Sequence, residues 1–314
     1  MQDVMLSVCV VSYNHEKYIE ECLDHLLQQK TDFEVEILFG DDCSTDNTLQ
    51  IVSERYGDKV TIVERTENLG LCKNMYDLFL RARGKYVYLM DGDDYLYSDE
   101  ILQKQVDYLE THTEYFSVTS REYIYKPSDK NGGGLGKCEI KTGDYTIKDF
   151  LEDEIVPCNY GTMRNVFYKD RENNKFLIQG SKNNEEIPMW MYTMDQGKKY
   201  ILPDYMRVYR YVNENAENYN TRYTFAEMFQ HCYANFYAVK PVYEKKYDLR
   251  PFKLRLINRY CLKIADSPKR FMQFMGMLNG KDKIEFIWYK IYLKTHHYQN
   301  PASWSEKSCI LSER

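Results

Sequence analysis

The chain has 314 residues and a net charge of −6, with 43% hydrophobic and 29% charged residues. That is enough apolar surface for one large domain, or for a catalytic domain with an appendage, without covalent staples. Nucleic acid is excluded as a partner by the acidic balance and the lack of a recognition motif. A spanning helix is excluded because no apolar run approaches roughly 18 residues. The N-terminus shows neither the basic start nor the small-residue cleavage site of a secretory signal, which predicts a protein that is not exported. Nine cysteines are scattered with no C-x-x-C pair, so neither zinc nor a redox couple is expected and a reducing compartment is. Charge is unevenly placed. Residues 249–314 carry 13 Lys and Arg against 5 Asp and Glu, a surplus of eight that leaves residues 1–248 at −14.

In chain order, "LSVCVV" reads as a first strand. It is followed by a helix with Ile19, Cys22, Leu23, Leu26 and Leu27 on one face. "FEVEILFG" is a second strand ending in Asp41-Asp42, and "STDNTLQIVSERYG" a second helix with a Leu49/Val52 face. "VTIVER" is the third strand. Met75, Leu78, Phe79 and Ala82 stripe a third helix stopped at Gly84, and "KYVYLM" is the fourth strand. Strands alternating with helices predict an α/β domain with a mostly parallel sheet. Farther on, "NGGGLGK" is a flexible excursion and "GTMRNVFYKD" a strand candidate. "NNEEIPMWMYTMDQG" is a short helix capped by Asn183 or Asn184, and "KKYILPDYMRVYRYV" is extended. Beyond about residue 217 the pattern is almost wholly helical. Two parts follow: a catalytic domain over 1–217 and a helical region over 218–314.

The fourth strand runs straight into Asp91-Gly92-Asp93-Asp94. Neighbouring carboxylates repel and need a counter-charge. In open α/β sheets, ligands bind beyond the carboxyl ends of the strands, where Asp41-Asp42 and this acidic turn would meet. A D-x-D there suits a hard cation such as Mg2+ or Mn2+, which takes one or two protein carboxylates and fills its shell with water and substrate phosphates. By itself the tripeptide also fits a solvated acidic turn.

The order "VVSYNHEKYI", "FGDDCSTDNT", "NLGLCKN" and "MDGDD", followed later by "EEIPMWMYTMDQGKKYILPDYMRVYR", resembles the family 2 glycosyltransferases. The likeness is good over residues 5–125, thins, and returns at the last segment. It implies a GT-A nucleotide-sugar-binding fold and transfer of a sugar from a nucleoside diphosphate, most commonly uridine diphosphate, with inversion at the anomeric carbon. Carried over residue by residue, it puts Tyr13 against the base and Asp41 and Asp42 in the nucleotide site, with Asp42 accepting from the base N–H. Lys73 falls near base or phosphates. Asp91, Asp93 and Asp94 take the ribose and metal roles, the metal being Mn2+ or Mg2+, and Arg210 pairs with a phosphate or with an acid of the site. Glu186, two residues before Pro188, matches the general base, and Glu185 is its neighbouring alternative. The family more often has aspartate here, which leaves the reach of this base open.

Two other classes stay open: a sugar nucleotidyltransferase, and a binding module on the same fold without chemistry. The first is disfavoured because "VVSYNHEKYI" has no glycine-rich phosphate loop, the second because D-x-D and Glu186 are both present. The acceptor implied by the resemblance is a saccharide, of the undecaprenyl lipid-linked type, in bacterial surface polysaccharide synthesis. The expected location is cytoplasmic, peripheral on the inner face of the membrane. In "DKIEFIWYKIYLK", Ile284, Ile287, Trp288 and Ile291 form a stripe with Lys283, Lys290 and Lys294 outside it. Either that stripe lies in a membrane interface, or it packs on the catalytic domain.

Overall fold

The computed structural model describes residues 4–126, 134–138, 140–152, 160–182, 184–210 and 223–295. Its centre is β1 (Leu6–Ser12), in which every residue is buried. It lies between β2 (Val35–Asp41) and β4 (Tyr86–Asp91), parallel to both, and β3 (Thr61–Glu64) pairs in parallel with β2. Alternation along β1 sends Leu6, Val8 and Val10 into one apolar cluster and Cys9 and Val11 into another, so the sheet is covered on both faces. Helix α1 (Ile19–Leu27) buries Ile19, Cys22, Leu23 and Leu26 against the first face. Leu27, expected in that stripe, is exposed. Helix α2 (Thr48–Tyr56) and helix α4 (Ile101–Thr111) complete this layer, and α3 (Leu71–Arg81) covers the opposite face.

The sheet continues past β4 through the two later segments expected as strand or extended chain and through two strands that the sequence patterning does not reveal. The order is β3-β2-β1-β4-β9-β6-β10-β5. Here β5 is Tyr95–Leu96, β6 is Tyr115–Lys126, β9 is Thr162–Arg164 and β10 is Lys198–Arg210. β6 and β10 are parallel to each other, whereas β9 and β5 run antiparallel to their neighbours. The sheet is therefore mostly parallel, as expected. The "GTMRNVFYKD" strand is only three residues long. The glycine-rich excursion contains β7 (Gly134–Lys137), which pairs with β6; residues 131–133 lie outside the described set. β8 (Gly143–Tyr145) pairs with β10 and leads into α5 (Ile147–Leu151).

Helix α6 (Glu186–Gln196) packs on the second face. Its N-cap is Glu185, not Asn184, and the cap side chain makes no capping bond; Asn183 lies outside the described residues. Helices α7 (Phe225–Tyr243), α8 (Arg250–Ile264), α9 (Pro268–Met277) and α10 (Gly280–Thr295) follow. The expected boundary at 217/218 falls among residues not described. The cores of the two parts are continuous: Phe236, Val239 and Tyr243 of α7 and Phe252 and Leu256 of α8 share a cluster with Met189, Trp190 and Tyr192 of α6. A smaller cluster joins α7, α8, α9 and α10. Among the described residues, no helix is long and apolar enough to cross a membrane. Cys138 takes part in a disulfide, so the cysteines give less support to a reducing compartment than their spacing alone suggests.

Candidate active site

Parallel pairing brings three strand ends to one edge of the sheet. Ser12 stands opposite Asp41, and Val11 opposite Asp91. The Asp42 N–H donates to the Ser12 carbonyl and the Gly92 N–H to the Val11 carbonyl, each at 2.9 Å. Tyr13, half-buried, follows β1 directly into this edge. Gly92 is pressed against the same strand end: a Cβ there would lie 2.8 Å from His15 Nδ1 and 3.1 Å from Ser12 Oγ.

The acids after β2 shape loops. Asp41 accepts from the Ser44 N–H at 2.9 Å and from its hydroxyl at 2.5 Å, around Cys43 in the left-handed region at φ 64°. Asp42 accepts from the N–H groups of Leu69 and Gly70, both at 2.8 Å. Burial pushes the Asp42 carboxyl above its ordinary range, against the pull of these two backbone bonds. Its oxygens hold the turn that opens α3, with Gly70 at φ 82°, and keep spare lone pairs for a ligand. Lys73 is exposed in the first turn of α3.

In the acidic turn the three aspartates separate by environment. Asp94 is fully buried; one oxygen forms an ion pair with Arg207 Nη2 and the other accepts from the Arg210 N–H at 2.9 Å. The same Arg207 nitrogen lies 3.2 Å from Asp91 Oδ2. Arg210 donates to the Asp93 carbonyl at 2.8 Å and pairs with Glu21, its guanidinium over the rings of Tyr18 and Tyr95. The Arg210 guanidinium, expected against a phosphate or an acid of the site, is taken by Glu21 and the Asp93 carbonyl, and Asp94, expected among the metal ligands, has both oxygens engaged by protein. Asp91 and Asp93 stay open to the edge, the Asp91 side chain 42% exposed. Burial and then the Asp91 charge push the Asp93 carboxyl up to about 7.

Arg207 did not stand out in the sequence reading. The signal available was its place three residues before Arg210 at the end of an extended segment, two basic side chains to match the acidic turn.

Glu185 and Glu186 arrive on a loop fastened from two sides. The Cys72 N–H of α3 donates to the Lys182 carbonyl at 3.0 Å. Asn235 of α7, fully buried, accepts from the Ser181 N–H at 2.7 Å and donates to the Asn184 carbonyl and side-chain oxygen at 2.6 and 2.7 Å. Glu185 is half-buried and accepts from the Tyr160 hydroxyl at 3.3 Å. Burial, then the charges of Asp91 and Glu186, push its carboxyl up to about 8. Glu186 is exposed, with a hydrogen bond from Asn184 and the Arg259 charge both favouring its ionised form. The two glutamates therefore feel different charges: Glu185 that of Asp91 in the acidic turn, Glu186 that of Arg259 in the helical region.

Asp91 and Asp93 fit a divalent cation. They are two carboxylates one residue apart at an open edge; Arg207 reaches Asp91 at 3.2 Å but shares that nitrogen with Asp94, Arg210 is taken by Glu21 and backbone, and ionising Asp93 beside Asp91 is favoured by added positive charge. Among the described residues no group of three or more His, Cys, Asp or Glu converges as a ligand set, which leaves the two-carboxylate pattern that such ions accept when phosphates complete the shell.

The family model described as glycosyl transferase family 2 matches residues 7–172, which contain β1 to β4 and the whole acidic turn. The chain belongs to this family. The Bacillus subtilis protein named putative teichuronic acid biosynthesis glycosyltransferase TuaG is 26% identical over 217 residues, 68% of this chain and 82% of its own. Uncharacterised proteins of Mycobacterium tuberculosis and M. bovis are 42% identical over 112 residues, so the match spans about a third of their length (32%) and 35% of this chain. The fold is that of Staphylococcus aureus TarS, solved with UDP-GlcNAc, at TM-score 0.62 and 21% identity over 90% of this chain and 81% of that one. It is also that of the Pyrobaculum calidifontis mannosyltransferase PcManGT, solved with GDP-Man and Mn2+, at TM-score 0.52 and 17% identity over 99% and 88%. The architecture is GT-A.

Proposed function

We propose that this protein is an inverting glycosyltransferase that moves a sugar from a uridine diphosphate sugar to a hydroxyl of a saccharide acceptor. The observation that carries the reading is the gathering of Tyr13, Asp42, Asp91 and Asp93 at one sheet edge, with Glu185 near enough to feel the Asp91 charge. Tyr13 offers a ring face to the base, and Asp42 keeps acceptor capacity for its N–H. Asp91 and Asp93 hold Mn2+ or Mg2+, which when bound offsets the charge of the departing diphosphate. The family match and the printed ligands of TarS and PcManGT support the donor class.

In-line displacement needs the base across the anomeric carbon from the diphosphate. Glu185, whose carboxyl is raised by burial and by the Asp91 charge, suits a hydroxyl of the donor sugar. Glu186, one residue on and open to solvent, suits the acceptor: it takes the proton from the attacking hydroxyl. Asn184 orients it by a hydrogen bond. The acceptor is a lipid-linked saccharide of the undecaprenyl type and the location the cytoplasmic face of the membrane; TuaG, named for teichuronic acid biosynthesis, supports a surface-polysaccharide role. Incubation with a panel of nucleotide sugars and Mn2+ tests the reading. Slow release of nucleoside diphosphate is expected with a UDP-sugar, and the absence of release from any donor overturns it.

A further inference from the structure

The C-terminal helix α10 is turned opposite to what its apolar stripe suggests. Its inward face is Phe286 and Asp282, both fully buried. Phe286 packs beside Phe274 of α9, and Asp282 accepts from Lys253 of α8 and from the hydroxyls of Tyr233 and Tyr237 of α7. The stripe points away. Ile284 (61% exposed), Ile287, Trp288 (66%), Ile291 and Tyr292 are all on the surface, spaced i, i+3, i+4, i+7 and i+8. Single exposed apolar residues are ordinary on a protein surface; five in one row along a 16-residue helix are not.

Charge around the row selects its occupant. Lys281 and Lys294 are exposed at its two ends, and Lys283 and Lys290 flank it, half-buried. The acids of the helix, Asp282 and Glu285, both accept from Lys253, so among the described residues the helix itself carries no unpaired negative charge. A second copy seated on this row would bring the same lysines together. An anionic surface would not, and Trp and Tyr are the side chains that settle where hydrocarbon meets headgroup. We propose that the outward face of α10 docks this protein on an anionic lipid bilayer, the helix lying in the interface plane with its isoleucines and Trp288 inserted.

The inference deepens the lipid-linked acceptor reading, on which its purpose rests, but it is read out separately. The full chain is sedimented with phosphatidylcholine vesicles, with and without phosphatidylglycerol, alongside Trp288→Ser/Ile291→Ser. The wild type should pellet with the anionic vesicles and stay in solution with the neutral ones. Binding should weaken when salt rises from about 0.1 M to about 1 M, as the screening length falls from about 10 Å to about 3 Å. The variant should lose about ten-fold or more in partitioning, with donor hydrolysis unchanged as the sign of an intact fold. Equal partitioning of variant and wild type, no binding to anionic vesicles, or a dimer in light scattering that the variant abolishes would each overturn the proposal. Failure of the transferase reading appears instead as absent donor turnover with vesicle binding intact.

Discussion

Arg207 and Asp94 form an ion pair buried beneath the acidic turn, and the guanidinium nitrogen that makes it also lies 3.2 Å from Asp91. One cation thus anchors the turn from inside while touching the carboxylate that faces out. Removing one partner strands the other charge out of water, which costs about 3–5 kcal/mol. Arg207→Ala and Asp94→Ala are each expected to lower stability by that order in urea denaturation. If both variants unfold at the wild-type urea concentration, the pair has no structural role.

Asp93→Ala is expected to make nucleotide affinity insensitive to Mn2+, whereas the wild type should bind UDP more tightly with Mn2+ than with chelator. Calorimetric titrations of both proteins under both conditions check this. A wild type with equal affinity in Mn2+ and chelator would remove the cation from the donor site.

Glu186→Gln keeps size and polarity but cannot accept a proton, so transfer should fall by about 100- to 10,000-fold with donor affinity nearly unchanged. Glu185→Gln should act mainly on donor affinity. Single-turnover transfer and donor binding, measured on both variants, separate the roles, and the opposite pattern would exchange them.

The carboxyls of Glu185 and Asp93 are pushed up to about 8 and about 7, mainly by burial. A raised carboxyl binds its proton more tightly in the folded protein than in the unfolded chain. The folded state therefore holds more protons between the ordinary carboxylate range and about pH 7 to 8, and stability falls as pH rises through that window. Thermal melts of the free protein should show a falling Tm from about pH 5 to about pH 8. The fall should flatten in Glu185→Gln. A Tm slope identical in this variant would assign the effect elsewhere.

Asn235 lies outside the family match yet fastens the loop that carries both glutamates. Asn235→Ala leaves the Ser181 N–H and the Asn184 oxygens without this partner, at about 1–3 kcal/mol for a buried group left unsatisfied. Both a lower denaturation midpoint and a reduced kcat at saturating donor are expected. Lost stability with unchanged kcat would make Asn235 a packing residue only.

The parallel half of the sheet was legible because each strand there is a short apolar run followed by a helix with one stripe, and turn residues punctuate them. The far half was less so: β9 has three residues and β6 takes its place through pairing with β10, a partner more than seventy residues away in sequence. The acids of the site could be located from the ends of strands. Their division of labour could not, because Asp91, Asp93 and Asp94 look alike until Arg207 and Arg210 are placed beneath them. For α10 the spacing was right and the direction unreadable. A period of 3.6 shows that a helix has an apolar face but not whether protein covers it, and here the inward face is set by Phe286 and by Lys253 meeting Asp282.

Arg210 closes the site from the far end of β10, giving its N–H to Asp94, a side-chain bond to the Asp93 carbonyl and its charge to Glu21. Proteins are made from the N-terminus at about 5–20 residues per second. A nascent chain therefore exposes the aspartates of β4 well before residues 207 and 210 leave the ribosome to neutralise them. The parallel half can gather its helices during that interval, but the acidic turn waits for a strand synthesised more than a hundred residues later. Assembly of this site is thus a late event in the life of the chain, and a translation product ending before residue 207 would carry a sheet whose working edge has no counter-ions of its own.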